Sequence, residues 1–299
     1  MPNTNLIVIL GPTASGKTAL AVKLAKKLDG EIISADSRQV YRGLDIGSGK
    51  DLDEYQDIAY HLIDIVDPGY EYSVFDYQRD FYNSFEEITE KAKLPILAGG
   101  SALYVDSVLK GYRMVEAKEN PELRKRLAEL THDQLIEQLL QLKPQQHNTT
   151  DLKDTQRLIR AIEIAEAERQ HPQSLPEPPQ INAQIIAINW PREITRKRIT
   201  ERLKERFEQQ AMIEEVKQLH EMGVSWETLE FYGLEYRLIA QHLQKQLNYN
   251  DMFQKLNSAI HQFAKKQDTW LRRLQRQGHK IHWVDGQANC YEQALKIII

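Results

Sequence analysis

Residues 11–18 read Gly-Pro-Thr-Ala-Ser-Gly-Lys-Thr, directly after the apolar run Leu6-Ile7-Val8-Ile9-Leu10 and directly before a helical pattern. This is the phosphate-binding loop (P-loop) pattern GxxxxGK[ST] in the strand–loop–helix setting that it requires. It fixes the start of the fold as a buried strand, a tight loop and a helix whose positive end faces an anion. Gly11 and Gly16 let the loop curl and bring its N–H groups close to phosphate oxygens. Lys17 adds a full charge, and Thr18 offers a hydroxyl to Mg²⁺. The pattern specifies a di- or triphosphate and leaves open whether a phosphoryl group is transferred or the phosphate departs.

The residues that follow continue the alternation. Leu6–Leu10, Glu31–Ser34, His61–Val66 and Pro95–Ala98 read as strands, and 17–28, 73–92 and 101–110 as helices. Such alternation predicts a parallel sheet with helices on both faces. From Pro121 to about Arg169 the chain turns polar and helical, then meets a proline-rich stretch, His171–Pro179, that reads as an extended connector. Gln184–Asn189 is again a buried-strand pattern. Arg192–Met222 and Asn250–Gln277 read as two long basic helices, Lys280–Val284 as a late strand and Tyr291–Ile298 as a final helix. The expected class is α/β: a P-loop NTPase-like parallel sheet flanked by helices, with a small all-helical insertion. Residues 1–112 with 183–299 form the core and 113–182 the insertion.

A net charge of −4 over 299 residues gives no global basic signature, so a nucleic-acid partner requires a local basic surface. Arg192, Arg196, Lys197, Arg198, Arg202, Lys204 and Arg206 in one helix and Lys265, Lys266, Arg272, Arg273 and Arg276 in another supply candidates; each set also reads as a solvated face. The single cysteine, Cys290, excludes a disulfide framework and a cysteine zinc site and suits a reducing cytosol. No leader pattern and no membrane-length apolar run is present. A cytoplasmic monomer is expected.

Two further elements lie beyond predicted strand ends, where ligands sit in doubly wound sheets. The segment Ala35-Asp36-Ser37-Arg38-Gln39-Val40-Tyr41 places a carboxylate near the P-loop, as a general base, a metal partner or a turn cap. Leu97-Ala98-Gly99-Gly100-Ser101-Ala102-Leu103-Tyr104 repeats the strand–glycine–helix arrangement, with Ser101 at a helix start, where an N-cap is the ordinary role.

In this order, Gly11–Thr18, Asp36–Tyr41 with Gly47-Ser48-Gly49-Lys50 behind it, and Gly99–Tyr104 resemble the tRNA dimethylallyltransferase family. The resemblance continues in Gln156–Glu163, in Arg198-Ile199 with Arg202, in Glu214-Glu215-Val216 and in Ala264–Arg272, and so spans nearly the whole chain. Serine stands at 101 where the family usually has threonine, Gln156 where it often has arginine, Leu234 where it has tyrosine, and Lys266 where it has arginine.

The resemblance implies transfer of a dimethylallyl group from dimethylallyl diphosphate to N6 of the adenosine 3′-adjacent to the anticodon, with Mg²⁺ as cofactor. The diphosphate is then the leaving group. Catalysis falls to Asp36 as base, with Ser101 and Lys17. The diphosphate falls to Gly11, Pro12, Thr13, Ala14, Ser15, Gly16, Lys17, Thr18 and Arg198, and Thr18 holds the metal. The tRNA anticodon stem-loop falls to Asp36, Ser37, Arg38, Gln39, Ser101, Arg124, Gln156, Arg157, Leu158, Ile159, Arg160, Lys265, Lys266, Gln267, Trp270 and Arg272. Trp270 reads equally as a core residue. A P-loop small-molecule kinase, or an isopentenyltransferase acting on free adenine nucleotides, shares the first hundred residues.

Overall fold

The computed structural model describes residues 4–144, 154–170, 177–208 and 211–299. The first compact unit joins 1–110 to 180–299, and the second is 111–179. The core resumes at residue 180, earlier than the expected 183, because Asn5 holds the incoming chain. Its Nδ2 donates to the Gln180 carbonyl at 2.8 Å, and its Oδ1 accepts from the Asn182 N–H at 2.7 Å.

The first unit is built on six parallel strands in the order β3-β2-β4-β1-β5-β6. They are β1 (Leu6–Leu10), β2 (Gly30–Ala35), β3 (Tyr60–His61), β4 (Leu94–Gly99), β5 (Ala183–Asn189) and β6 (Ile281–Asp285). β1 is apolar at every position and wholly buried, as a central strand covered on both faces must be. Its side chains alternate. Leu6, Val8 and Leu10 enter a core with α2 (Val74–Glu90), α3 (Ala102–Leu109) and most of the C-terminal helices. Ile7 and Ile9 enter a smaller core with α1 (Lys17–Leu28) and the end of the chain. The loops after β1, β2 and β4 therefore emerge side by side at the carboxyl edge.

Three expectations need correction. Of the expected strand His61–Val66 only His61 joins the sheet, as the second residue of β3. Leu62 and Asp64 adopt positive φ, and Asp64, Ile65 and Val66 donate instead to the carbonyls of Gln39 and Val40. The expected helix Arg192–Met222 is two helices, which follow the three of the second unit as α7 (Arg192–Glu208) and α8 (Met212–Glu221); Ala211 precedes the second at φ 52°. Two helices went unpredicted, α9 (Trp226–Phe231) and α10 (Leu234–Leu243). α11 (Tyr249–Arg276) and α12 (Cys290–Ile298) complete the unit. α11 buries Met252, Leu256, Ile260, Ala264, Gln267, Trp270, Leu271 and Leu274, a helical stripe that leaves its basic residues outside.

The second unit holds α4 (Pro121–Ala128), α5 (His132–Leu142) and α6 (Thr155–Gln170) around Leu123, Leu127, Leu135, Leu139, Leu158, Ile159 and Ile162. Most of the proline-rich connector, residues 171–176, lies outside the described residues. Among the described residues, no helix is long and apolar enough to cross a membrane.

Candidate active site

A cleft of about 640 Å³ opens at the carboxyl edge of the first unit. Thr13, Ala14, Gly16, Lys17 and Thr18 line it from the loop after β1, Asp36 and Gln39 from the segment after β2, and Gly99 and Gly100 from the end of β4. Arg198, Arg202 and Arg206, one turn apart on α7, face it together.

The P-loop is held by its carbonyls. Lys17 Nζ donates to Pro12 O at 2.9 Å, Arg198 Nε to Ala14 O at 2.9 Å and Trp190 Nε1 to Ser15 O at 3.0 Å. The Arg198 guanidinium lies over the Trp190 ring, 4.5 Å from its centroid. Gly16 caps α1 at φ 90°, a conformation costly for side-chain-bearing residues, and no side chain caps the helix. The first N–H groups of α1 have no intrahelical acceptor and remain for a ligand. Burial pulls the Lys17 ammonium from 10.5 down to about 8; Asp36 opposes this and Arg202 adds to it. The loop therefore holds its cation in an environment that an anion relieves.

Gln267 of α11 joins two of these loops. Its Oε1 accepts from the Thr13 N–H at 2.8 Å and its Nε2 donates to Gly100 O at 3.1 Å. Asp36 begins a turn in which its Oδ1 accepts from the Arg38 N–H at 2.9 Å. Ser101 sits at the helix start, yet its hydroxyl caps nothing there; it accepts from the Ser37 N–H at 2.9 Å. The hydroxyl thus locks the segment that carries Asp36. The Arg38 guanidinium lies 5.7 Å from the ring centroid of Phe231, which is 63% exposed.

The segment after Tyr41 is fixed by two ionised groups. Glu215 accepts from the N–H groups of Asp45, Ile46 and Gly47 at 3.0, 2.6 and 3.1 Å and from the Tyr236 hydroxyl at 2.8 Å. Buried Lys50 donates to Tyr41 O and pairs with Asp45 and Asp64. Gln39 Nε2 donates to Gly49 O at 3.0 Å while its Oε1 accepts from Ser34. These bonds hold Gly49 and Asp51 against the cleft, where Asp51 pairs with Arg202.

Several residues expected to touch tRNA are committed elsewhere. Trp270 is buried and donates to Asp106 at 3.1 Å, so it cannot stack on a base. Leu158 and Ile159 are core residues of the second unit. Gln39 and Gln267 brace loops. Arg124 and Arg160 both bond the buried carboxylate of Glu163, at 2.8–3.0 Å. Burial alone would raise the Glu163 pKa; Arg124, the Asn120 N–H and Arg160 outweigh it and hold it below the ordinary value. Arg272 pairs with Asp268 at 3.0 Å. Gln156, Arg157, Lys265 and Lys266 remain exposed. Sequence reasoning passed over Asp51, Phe231 and the bridging role of Gln267. The arginines at 202 and 206 stood in a visible i, i+4, i+8 row with Arg198, and that row was the available signal.

A phosphate-binding loop, a carboxylate and a hydroxyl at the ends of three adjacent strands define a P-loop α/β protein. The family model "IPP transferase" matches residues 39–274. The chain is 58% identical to tRNA dimethylallyltransferase 1 of Geotalea daltonii over 98% of this chain and 95% of that protein. It is 51% identical to tRNA dimethylallyltransferase 2 of Shewanella sediminis over 100% and 99%. Among solved structures it resembles the tRNA isopentenylpyrophosphate transferase of Bacillus halodurans, with a TM-score of 0.72, 29% identity and 99% and 94% coverage. A eukaryotic dimethylallyltransferase acting on tRNA shares the fold at a TM-score of 0.79 and 23% identity, over 98% of this chain and 78% of that one. The chain belongs to the tRNA dimethylallyltransferase (IPP transferase) family.

Proposed function

We propose that the protein transfers a dimethylallyl group from dimethylallyl diphosphate to N6 of the adenosine 3′-adjacent to the anticodon of tRNA, as a monomer in the cytoplasm. The observation that carries this reading is that Asp36 and the P-loop residues Lys17 and Thr18 line one cleft. A nucleophile's proton acceptor and a diphosphate's cradle thus share one space.

In the reaction, the N6 lone pair attacks C1 of the allyl group as the C1–O bond breaks. The bonding pair leaves on the diphosphate. Lys17, the P-loop N–H groups and Arg198 stabilise that growing charge. The amine is a weak nucleophile because its lone pair is delocalised into the ring. Asp36 takes its proton as the C–N bond forms, a contribution of roughly 10²–10⁴-fold. Ser101 keeps Asp36 in place through the Ser37 N–H.

The donor set also fits Mg²⁺. Thr18 offers a hydroxyl to the cleft, and among the described residues no three acidic, histidine or cysteine side chains form a metal cage. Thr18 would hold such an ion through that hydroxyl. When bound, it neutralises charge on the leaving group.

The base must leave its stack to reach Asp36. Phe231, exposed beneath Arg38, offers a ring for stacking, and the exposed Lys265, Lys266 and Arg157 offer charge to RNA phosphates. The test is mass spectrometry of nucleosides from tRNA incubated with the protein and dimethylallyl diphosphate. N6-dimethylallyladenosine at the position after the anticodon is expected. Product from AMP but not from tRNA overturns the reading.

A further inference from the structure

Trp190 follows β5 and reaches the P-loop from outside the cleft. It shares with Pro12 a second cavity, of about 500 Å³, whereas Gly16, Lys17 and Thr18 face the cleft. Its Nε1 donates to Ser15 O at 3.0 Å. Ser15 has little else to hold it. Its buried hydroxyl has no partner, and its N–H reaches Pro12 O at 3.3 Å.

The direction of that carbonyl fixes the next donor along the chain. In a trans peptide the C=O of one residue and the N–H of the following one point opposite ways. With Ser15 O turned to Trp190, the Gly16 N–H turns away from it, and among the described residues no protein group accepts that N–H. It is one of the donors that a phosphate oxygen meets at the start of α1. A released carbonyl lets the peptide rotate and carries this donor off the ligand.

The indole is held in turn. The Arg198 guanidinium lies 4.5 Å from its ring centroid. Gly286, just past β6, lies against the ring: a Cβ built there would collide with Cε2, Cδ2 and Nε1. The Gly286 backbone is outside the left-handed region, so the ring, and not the chain conformation, requires glycine at this position. Its N–H donates at 2.8 Å to the carbonyl of Asn189, the residue before Trp190. The turn after β6 thus seats the ring that braces the loop after β1.

We propose that Trp190 is a positioning residue of the transfer reaction: it pins the Ser15 carbonyl so that the Gly16 N–H stays aimed at the diphosphate, and Gly286 sets the indole in place. This deepens the proposed function and rests on its assignment of the P-loop to a diphosphate. Trp190 acts through the loop and not on the substrate.

The experiment titrates inorganic diphosphate by calorimetry, at fixed free Mg²⁺, into the full chain as wild type, Trp190→Phe, Gly286→Ala, the double variant and Lys17→Ala. Trp190→Phe keeps a ring beside Arg198 and removes the donor. An N–H bonded to an anionic oxygen is worth roughly tenfold in affinity. A loss of about that size is expected, with tRNA affinity by gel shift within about twofold of wild type. Gly286→Ala keeps the tryptophan but pushes it off its seat, and is expected to weaken diphosphate binding too. The double variant is expected to lose about as much as Trp190→Phe alone, because both changes act through one bond; fully additive losses would overturn that shared action. In the ¹⁵N spectrum of the wild type, the indole signal that vanishes in Trp190→Phe is expected to shift when diphosphate is added, a response that a merely structural tryptophan does not give. Should Trp190→Phe fold poorly, Gly286→Ala and the diphosphate response of the wild-type indole signals give the same answer. Wild-type diphosphate affinity in Trp190→Phe and Gly286→Ala, with binding lost in Lys17→Ala, overturns the positioning role and leaves the proposed function standing, as does an indole signal that diphosphate does not move. Unchanged affinity in every variant, Lys17→Ala included, overturns both.

Discussion

Raising the pH from 7 to 9 is expected to weaken diphosphate binding, because Lys17 titrates in that window only while the cleft is empty. Burial holds its pKa at about 8 in the free protein despite the nearby carboxylate of Asp36. At pH 7 roughly 90% of the molecules carry the ammonium, and at pH 9 roughly 10%. A bound diphosphate keeps the ammonium protonated throughout, so the free protein must take up a proton to bind. The apparent Kd then rises about tenfold over those two units, equivalent to about 1.4 kcal/mol. Calorimetry with inorganic diphosphate at constant free Mg²⁺, repeated in buffers of different ionisation enthalpy, reads both the affinity and the proton uptake. Lys17→Arg is the control. Its guanidinium stays charged at both pH values, so any remaining drift belongs to the ligand. Equal pH dependence in wild type and Lys17→Arg, or no proton uptake at pH 9 in wild type, would refute the argument.

Asp36→Asn keeps the shape of the turn and is expected to lower kcat by roughly 10²–10⁴ while gel-shift affinity for tRNA stays within a few-fold; lost affinity with normal single-turnover rates would assign the residue to recognition. Charge reversal at the exposed Lys265 and Lys266 is expected to reduce the slope of log K against log salt by roughly 0.7–0.9 for each RNA phosphate that is no longer neutralised. An unchanged slope removes this part of α11 from the RNA surface. In the second unit, Glu163→Gln leaves Arg124 and Arg160 without their shared buried carboxylate, a loss of about 2–3 kcal/mol after allowing for the partial exposure of both arginines. Faster amide exchange across α6 reports it. Because the Glu163 pKa is held below its unfolded value of 4.5, the wild-type contribution is complete above that pH and is lost as pH falls through the folded value.

The strands were legible where the chain is apolar at consecutive positions, as in Leu6–Leu10 and Gln184–Asn189, because central parallel strands bury both faces. His61–Val66 carries the same signal, but its backbone pairs with the Gln39–Tyr41 segment, a tertiary choice that local pattern cannot express. α9 and α10 are short and lie on either side of Gly233, so neither offers enough turns for periodicity to register. At the site, the P-loop, Asp36 and Ser101 were readable because each follows a strand. Trp270 was ambiguous: an aromatic beside lysines and arginines looks the same in sequence whether its ring faces solvent or Asp106. The pairing of Arg160 with Glu163 was open to sequence reasoning as an i, i+3 alternative, whereas Arg124 was readable as a cation but not as a partner of Glu163, which lies 39 residues beyond it in the chain.

Gln267 also sets an order of events during synthesis. It bonds the N–H of Thr13 from 254 residues further along the chain. At the roughly 5–20 residues per second of translation, the P-loop leaves the ribosome about 10–50 s before the side chain that braces it. Throughout that interval the loop has its sequence but not its support, and the Gly100 turn lacks the same tie. A nascent chain is therefore a poor prenyltransferase until α11 docks, and a chain terminated before residue 267 keeps every motif of its first hundred residues without the geometry that joins them.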